Sequence, residues 1–375
     1  MTVDGACAAE FAGVRAAFEA EFDAGREVGA SLCVMVGDDV AVDLWGGVAD
    51  IATARPWQRD TVATTYSVTK TMTALVILAL ADRGLLDVDQ PVARYWPEFG
   101  RAGKSEVTVG QILDHTSGVS GWEKPMTIDD LYRQHDAAAA LADQAPWWTP
   151  GDGSGYHALT FGTILGEVVQ RVTGTTLGQF LEAEIAGPLG ADFRIGMRSG
   201  LDRIAPLVPP PPSGFDLGSL APDVEPRRTL GNPVFSPTVT ADPAFVAAEL
   251  GAVNGQGNAR SVALVQSVVT GRGRARGRAI LSSETADRLF EPRTDGTDRV
   301  LGVPVSFGLG WALSSPAMPG VPDGQVCWWT GFGGSVVSCD AGRGITVAYV
   351  MNAMSPQLIG AERPNRYLAA VYESL

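Results

Sequence analysis

The sequence predicts an α+β fold, in which an antiparallel sheet built from the N- and C-terminal segments is flanked by helices and carries an inserted, mostly helical lobe. Strand-like runs occur near both ends of the chain, and helical periodicity fills the middle. The 375 residues suffice for one large domain or two interleaved ones. Because an isolated hairpin is marginally stable, we expect the terminal strands to join one sheet.

The N-terminal segment is expected to form a helix followed by a hairpin. Apolar residues recur at helical spacing from Phe11 to Phe22. The runs 31–36 and 40–45 then alternate or concentrate apolar residues on either side of a Gly-Asp-Asp turn. This order places the first two strands directly after the first helix.

The C-terminal segment is expected to supply the remaining strands and a closing helix. Gly and Pro separate four runs that are rich in β-branched and aromatic residues. The predicted strands are 305–313, 325–330, 335–340 and 345–351. The stretch 364–374 is predicted to be a helix that ends the chain.

The middle of the chain is predicted to be a second, helical lobe. Several of its helices begin at plausible capping residues, such as Thr108, Thr127 and Ser282. The candidate helices are 72–84, 109–114, 128–142, 159–172, 177–185, 244–250, 261–269 and 283–290. We therefore expect a sheet domain from 1–75 and 295–375, and a mostly helical domain from 76–294, with the functional site in the cleft between them.

A Pro-rich loop is expected at 204–243, within the helical domain. Loops of this length are often functional, so it is interpreted either as a cover for part of the cleft or as a solvated connector.

Composition and charge exclude several classes of function. The net charge of −14 disfavours a nucleic-acid partner, since such binding rests on Lys and Arg. The apolar run 74–81 is too short to span a bilayer, and the N-terminus lacks a secretory signal, so a cytoplasmic protein without a membrane span is expected. The four cysteines show no C-x-x-C spacing, and the three histidines form no H-E-x-x-H motif, so no metal is expected. The chain has no P-loop and no complete G-x-G-x-x-G motif, so no nucleotide or other cofactor is expected.

The segment Tyr-Ser-Val-Thr-Lys before an apolar helix carries the most chemical information. Residues three apart lie on one face of a helix, so Ser67 Oγ and the Lys70 amine can come within hydrogen-bond distance. A desolvated lysine can accept the serine proton, and the N–H groups at the start of a helix can stabilise an oxyanion. A capping serine followed by a surface lysine would give the same tetrapeptide, so further motifs are needed to decide.

Further motifs occur in a compatible order. The segment 111–118 reads Q-I-L-D-H-T-S-G, residues 156–158 read Y-H-A, and residues 329–331 read W-T-G. Together with S-V-T-K at 67–70, they resemble the motifs of the serine β-lactamase and penicillin-binding-protein superfamily. The resemblance is to its class C-like branch, which includes the family VIII carboxylesterases, and it extends from about residue 10 to the C-terminus.

The resemblance implies a role for each catalytic position. Ser67 would be the acylated nucleophile, Lys70 its hydrogen-bonded partner, and Tyr156 the second half of the base. The Lys70 ammonium is expected to lower the pKa of Tyr156, so that the two groups share protons as a coupled pair. The resemblance also implies an oxyanion hole from the backbone N–H groups of Ser67 and Phe332.

Two departures from the lactamase motifs indicate an uncharged substrate. Trp329 stands where the lactamases have a lysine that pairs with the substrate carboxylate, and Ala158 replaces an asparagine. An indole carries no positive charge and has a single donor. These replacements resemble those of the family VIII esterases. The predicted substrate-binding residues are Trp329, Gly331, Trp122, Trp148 and His157.

The sequence thus predicts a serine hydrolase that cleaves carboxylic esters of small uncharged acyl groups through an acyl-serine. An acyltransferase that uses the same acyl-enzyme remains an alternative. β-Lactam or D-Ala-D-Ala cleavage is disfavoured by Trp329 and Ala158. An α/β-hydrolase is excluded because no serine has the G-x-S-x-G context. The expected partner is a small ester or acyl donor, and the oligomeric state is left open.

Overall fold

The computed structural model describes residues 2–210, 217–234 and 236–375. Its strands include long central ones and several two-residue pairs. They are β1 (Val3–Cys7), β2 (Gly29–Val36), β3 (Asp39–Asp50), β4 (Arg55–Pro56), β5 (Ala63–Thr64), β6 (Gln256–Gly257), β7 (Arg274–Ala275), β8 (Arg278–Ala279), β9 (Ala312–Leu313), β10 (Val326–Thr330), β11 (Val336–Asp340) and β12 (Ile345–Met351).

Most α-helices lie between the two groups of long strands. They are α1 (Ala12–Asp23), α2 (Thr69–Asp82), α3 (Val109–Leu113), α4 (Ile128–Tyr132), α5 (Gln134–Asp143), α6 (Thr160–Thr173), α7 (Leu177–Leu181), α8 (Gly187–Leu189), α9 (Glu225–Leu230), α10 (Pro243–Ala247), α11 (Ala259–Thr270), α12 (Ser283–Arg288) and α13 (Glu362–Glu373). A π-helical turn, Glu182–Ala186, joins α7 to α8.

The main sheet joins the two ends of the chain. Within the described residues its order is β1-β3-β2-β12-β11-β10-β9, with β4 paired to β3. The N-terminal β2 and the C-terminal β12 are antiparallel neighbours in the middle, with Val34 opposite Val347. The predicted α+β class, with a sheet built from both terminal segments, is confirmed.

Both faces of the central strands are covered. Every residue of β10, β11 and β12 is buried, which requires apolar neighbours on each side of the sheet. Helix α11 packs against β2, β11 and β12, and α1 packs against α13. Thus α11 packs on the sheet, although it lies in the range 76–294 that was predicted to form the mostly helical domain. The division of the chain into two domains stays a prediction.

Helix α2 is buried over almost its whole length. From Ala74 to Ala81 its residues are all apolar, and every residue from Thr69 to Leu80, including Lys70 and three threonines, is buried. It contacts α6, α7, α11 and α12, so it occupies the centre of the molecule. The helix begins at Thr69, directly after the 3-10 turn Tyr66–Val68, rather than at residue 72 as predicted.

The structure differs from the sequence prediction in three further places. Strand β1 was not predicted, because its exposed central residues lack the apolar alternation of a strand. The predicted strand 305–313 is wrong except at β9, since Gly310 has a φ of 97° and the chain turns there. The predicted helix 128–142 is broken at Arg133, whose ψ of 69° lies outside the helical region.

The Pro-rich segment 204–243 contains short helical turns as well as loops. Helix α9 lies in it, together with the 3-10 turns Leu217–Ser219 and Pro237–Ala241. Residues 211–216 and 235 of this segment lie outside the described part of the chain. None of the helices in 2–210, 217–234 and 236–375 is both long enough and apolar enough to cross a membrane.

Candidate active site

Ser67 lies in the turn directly before the N-terminus of the buried helix α2. It is half-buried, whereas its neighbours Tyr66 and Val68 are buried, so its hydroxyl can be reached from the surface. Tyr66 has a φ of 44°, in the left-handed region that non-glycine residues rarely adopt. Such conformations persist where the surrounding structure fixes them, and they occur often at active sites.

Lys70 Nζ lies 3.1 Å from Ser67 Oγ, one helical turn along α2. It also lies 2.8 Å from the Ala158 carbonyl oxygen and 3.0 Å from that of Ala252. An ammonium would donate to all three oxygens. A neutral amine has two N–H donors and one lone pair, so donation to the two carbonyls directs its lone pair to Ser67.

Tyr156 reaches Ser67 from the segment that precedes α6. Its phenol donates to Ser67 Oγ at 2.7 Å, and Lys70 Nζ lies 4.7 Å from the centre of its ring. The structure therefore brings Ser67, Lys70 and Tyr156 into direct contact. Their catalytic roles belong to the proposal below.

Burial shifts the pKa values of Lys70 and Tyr156 in opposite directions. It lowers the pKa of the Lys70 amine well below 10.5, because a buried ammonium loses its hydration. It raises the pKa of Tyr156 despite the opposing interactions with Ser67 and Trp329. The expected lowering of the Tyr156 pKa by Lys70 is therefore wrong. Burial thus shifts both groups toward their neutral forms, and a neutral amine is a stronger proton acceptor than a neutral phenol.

The backbone N–H groups of Ser67 and Phe332 are free to bind an oxyanion. Within the described residues, neither donates a hydrogen bond to the protein. Phe332 is held beside the serine turn by an edge contact with the Tyr66 ring, with 5.6 Å between ring centres. Gly331 is required for this approach, since a Cβ there would lie 2.1 Å from the Thr65 carbonyl oxygen.

An apolar cavity of about 290 Å³ opens beside Ser67. Its described lining contains no charged side chain, and one side comes from the Pro-rich segment. The lining residues are Tyr66, Ser67, Tyr156, Ala158, Leu159, Pro210, Leu217, Thr229, Leu230, Pro233, Val234, Val253, Phe332, Pro356 and Leu358. The described part of 204–243 thus covers one side of the candidate site.

The five predicted substrate-binding residues lie outside this lining. Trp329 packs on the ring of Tyr156, with 5.2 Å between ring centres, and Gly331 supports the turn described above. Trp122 donates its indole N–H to the Ala137 carbonyl, and Trp148 packs edge-on against His157. Their role in substrate binding stays a prediction.

His157 belongs to a buried network behind Tyr156. Its Nδ1 lies 2.7 Å from the Gly155 carbonyl, so this nitrogen carries the proton, and its Nε2 accepts from Ser117 Oγ at 2.6 Å. Burial lowers the pKa of His157 to about 3, so the ring is neutral at physiological pH. The described residues contain no group of three or more His, Cys, Asp or Glu side chains that could hold a metal ion.

The cavity wall is the part of the site that sequence reasoning missed. Leu159 and Val253 are each next to an alanine whose carbonyl accepts from Lys70, but neither lies in a recognisable motif. Leu230, Val234 and Leu358 come from distant parts of the chain. No local pattern marks such residues, because only the fold brings them to one place.

Comparison with known proteins identifies the family of this chain. A beta-lactamase family model matches residues 14–371. Esterase/beta-lactamase LipL of Mycobacterium tuberculosis is 33% identical, over 95% of this chain and 84% of the relative. The crystal structure of a family VIII carboxylesterase has a TM-score of 0.94 and 37% identity, and a penicillin-binding protein homolog from Caulobacter crescentus has 0.92 and 35%, each over 100% of both chains. The predicted resemblance is confirmed: this chain belongs to the beta-lactamase family.

Proposed function

We propose that this protein is a serine hydrolase that cleaves carboxylic esters of small, uncharged acyl groups through an acyl-serine intermediate. The main support is that Ser67 Oγ lies within hydrogen-bond distance of both Lys70 Nζ and Tyr156 Oη at the wall of an apolar cavity. The names of two similar proteins, an esterase/beta-lactamase and a family VIII carboxylesterase, point to the same chemistry.

In the acylation step, Ser67 Oγ attacks the carbonyl carbon of the ester. The serine proton passes to the neutral Lys70 amine, directly or through the Tyr156 hydroxyl, as the new C–O bond forms. The tetrahedral intermediate then collapses and the bond to the alcohol oxygen breaks. The same proton goes to this oxygen, so the alcohol leaves neutral and Ser67 remains acylated.

In the deacylation step, water takes the place of the alcohol. Lys70 and Tyr156 accept a proton from the water as its oxygen attacks the acyl carbon. They return a proton to Ser67 Oγ when the carboxylic acid is released. In both steps the N–H groups of Ser67 and Phe332 would stabilise the oxyanion, an effect worth about 3 to 4 kcal/mol per donor.

The absence of a charged side chain from the described cavity lining favours an uncharged acyl group. The described lining of the cavity offers no cation to a substrate carboxylate, and Trp329 occupies the position of the lactamase lysine. A carboxylate buried there without a partner would keep most of its desolvation cost. We therefore propose that neutral esters are better substrates than β-lactams or D-Ala-D-Ala peptides.

A substrate panel tests this proposal. It comprises p-nitrophenyl acetate, butyrate and decanoate, a chromogenic cephalosporin and a D-Ala-D-Ala peptide, each with and without an added alcohol. We expect kcat/KM to be highest for the short esters and at least about 100-fold lower for the charged substrates. Faster turnover of the cephalosporin than of any ester would contradict the proposal. An ester product in place of the acid when alcohol is added would instead establish the acyltransferase alternative.

The lowered pKa of Lys70 predicts the pH dependence of the reaction. Protonation of the amine removes the base, so kcat/KM for p-nitrophenyl butyrate should fall as the pH is lowered through the Lys70 pKa. Because burial places this pKa well below 10.5, activity should reach a plateau at moderate pH. The measurement is a pH profile corrected for the rate of the Ser67→Ala variant. A rate that keeps rising tenfold per unit up to pH 10 would indicate an ordinary, solvated lysine.

A further inference from the structure

We propose that Asp298 is a positioning residue, which holds Tyr156 against Ser67 by accepting the hydrogen bond of the Tyr156 backbone N–H. This inference rests on the proposed function, since it assigns Asp298 a role through Tyr156. Asp298 lies far from the sequence motifs, in the loop that precedes β9, and its side chain does not line the cavity.

Three backbone N–H groups converge on one oxygen of Asp298. Oδ1 accepts from Tyr156 at 3.0 Å, and from Val300 and Leu301 at 2.9 Å each. The last two bonds fix the carboxylate on its own turn. The bond from the Tyr156 N–H to this fixed carboxylate then holds the backbone of Tyr156 in place.

The segment around Tyr156 is held from two sides. The N–H groups of Gly155 and His157 both bond to His115, through its carbonyl oxygen at 3.0 Å and its Nδ1 at 3.1 Å. The intervening N–H of Tyr156 bonds to Asp298. Arg299, next to Asp298, also donates its backbone N–H to the Ser154 carbonyl oxygen at 2.9 Å. Loss of the Asp298 carboxylate would therefore release the Tyr156 N–H itself, while the bonds to His115 and to Ser154 stay in place.

The environment of Asp298 is unusual for a residue that only closes a turn. The side chain is 0% exposed, and within the described residues no Lys or Arg pairs with it. Its Oδ2 has no hydrogen-bond partner there either. A buried carboxylate without a cation is costly, and charge-assisted bonds to N–H groups offset part of that cost. The desolvation cost of the Asp298 carboxylate thus falls at the residue that we propose orients the Tyr156 phenol.

The position of the phenol matters because proton transfer needs short distances. Tyr156 Oη lies 2.7 Å from Ser67 Oγ. A displacement of about 1 Å in an active site can lower the rate by about 100-fold. Substrate binding would be affected much less, because most of the cavity wall comes from other segments.

The test compares Asp298→Ala, Asp298→Glu and Asp298→Asn with Asp295→Ala as a matched control. Asp295 is exposed on the same loop and accepts from its neighbour Gly296. We expect Asp298→Ala to lower kcat for p-nitrophenyl butyrate about 100-fold, with KM changed by less than about threefold. Asp298→Glu moves the carboxylate by the length of one methylene group, so we expect it to lower kcat as much as Asp298→Ala does. Asp298→Asn keeps an oxygen for the three N–H groups and should retain kcat within about fivefold.

Folding of each variant is checked by urea unfolding, and Asp298→Glu decides the question where Asp298→Ala does not fold. A kcat within threefold of wild type in the folded Ala or Glu variant would overturn the proposal. A loss in Asp298→Asn as large as that in the other two would overturn it as well. The proposed function is judged separately, since its failure would appear as a wild-type protein that does not hydrolyse esters, whatever the Asp298 variants do.

Discussion

Replacing Ser67 by alanine should abolish the hydrolysis of short p-nitrophenyl esters, with a loss in kcat/KM of at least about 10⁴-fold. Without Oγ no acyl-enzyme can form, and in serine hydrolases removal of the nucleophile costs up to about 10⁶-fold in kcat. The Lys70 amine and the Phe332 N–H would remain, so a small residual rate above that in buffer is expected. The measurement is the release of p-nitrophenol at saturating and at low ester concentration.

A covalent label makes this test specific. A fluorophosphonate should add one adduct to the wild-type protein, on the peptide that contains Ser67, and none to Ser67→Ala. Ser105→Ala is the matched control, because Ser105 is exposed and lies in a loop outside the cavity lining, so its activity should stay within twofold. Undiminished ester hydrolysis by Ser67→Ala, or an adduct on another serine, would place the nucleophile elsewhere.

Replacing Arg363 by methionine should lower the free energy of unfolding by about 3 to 5 kcal/mol. Arg363, in α13, pairs with Glu27, and the exposed fractions of the two side chains are 8% and 0%. Tyr349 and Tyr367 donate to the same carboxylate. Without the guanidinium, Glu27 must either carry an unpaired buried charge or take up a proton, and above pH 7 both alternatives cost free energy. Urea unfolding at pH 8 measures the loss.

Arg101→Met provides the control for this substitution. The ion pair of Arg101 with Asp143 is exposed, with side-chain exposures of 61% and 68%, so its loss should cost less than about 1 kcal/mol. Adding Glu27→Gln to Arg363→Met should restore part of the stability, since it removes the unpaired charge. Equal losses for Arg363→Met and Arg101→Met would show that the buried pair does not stabilise the fold.

The pH dependence of the Arg363→Met effect has a definite sign. Burial raises the pKa of Glu27 to about 7 in the folded protein, against 4.5 ordinarily. The folded state therefore holds a proton that the unfolded state releases, and the contribution of Glu27 to stability falls as the pH rises from about 4.5 to 7. Without Arg363 this pKa rises further. The destabilisation should therefore be larger at pH 8 than at pH 5.

The contacts of Ser67 with Lys70 and Tyr156 could be predicted from sequence because they are local or belong to a motif. The spacing of Ser67 and Lys70 on one helix implies their contact, and the resemblance supplied Tyr156 as the third member. Their protonation could not be predicted in the same way. The predicted lowering of the Tyr156 pKa took only the charge of Lys70 into account. Burial, which depends on the whole fold, has the larger effect on this pKa and raises it.

The strands were predictable where apolar runs are continuous, as in β2 and β12, since both faces of these strands are covered. Prediction failed where tertiary contacts override local pattern. β1 pairs with β3 although its residues are mostly exposed, and the apolar stretch around Gly310 turns instead of extending. The cavity wall was unpredictable for the same reason, because its residues come from segments far apart in the chain.

The cavity is lined by two kinds of segment, and this difference has an evolutionary consequence. Lys70 lies in the buried helix α2, Ser67 in the turn before it, and Tyr156 in the buried segment before α6. By contrast, Leu217, Leu230 and Val234 come from the partly exposed stretch 217–234. Val234 is 76% exposed, so its replacement disturbs little packing. Under the proposed function, the cavity wall can therefore change through a few tolerated mutations, and with it the preferred acyl group, while Ser67, Lys70 and Tyr156 stay in place.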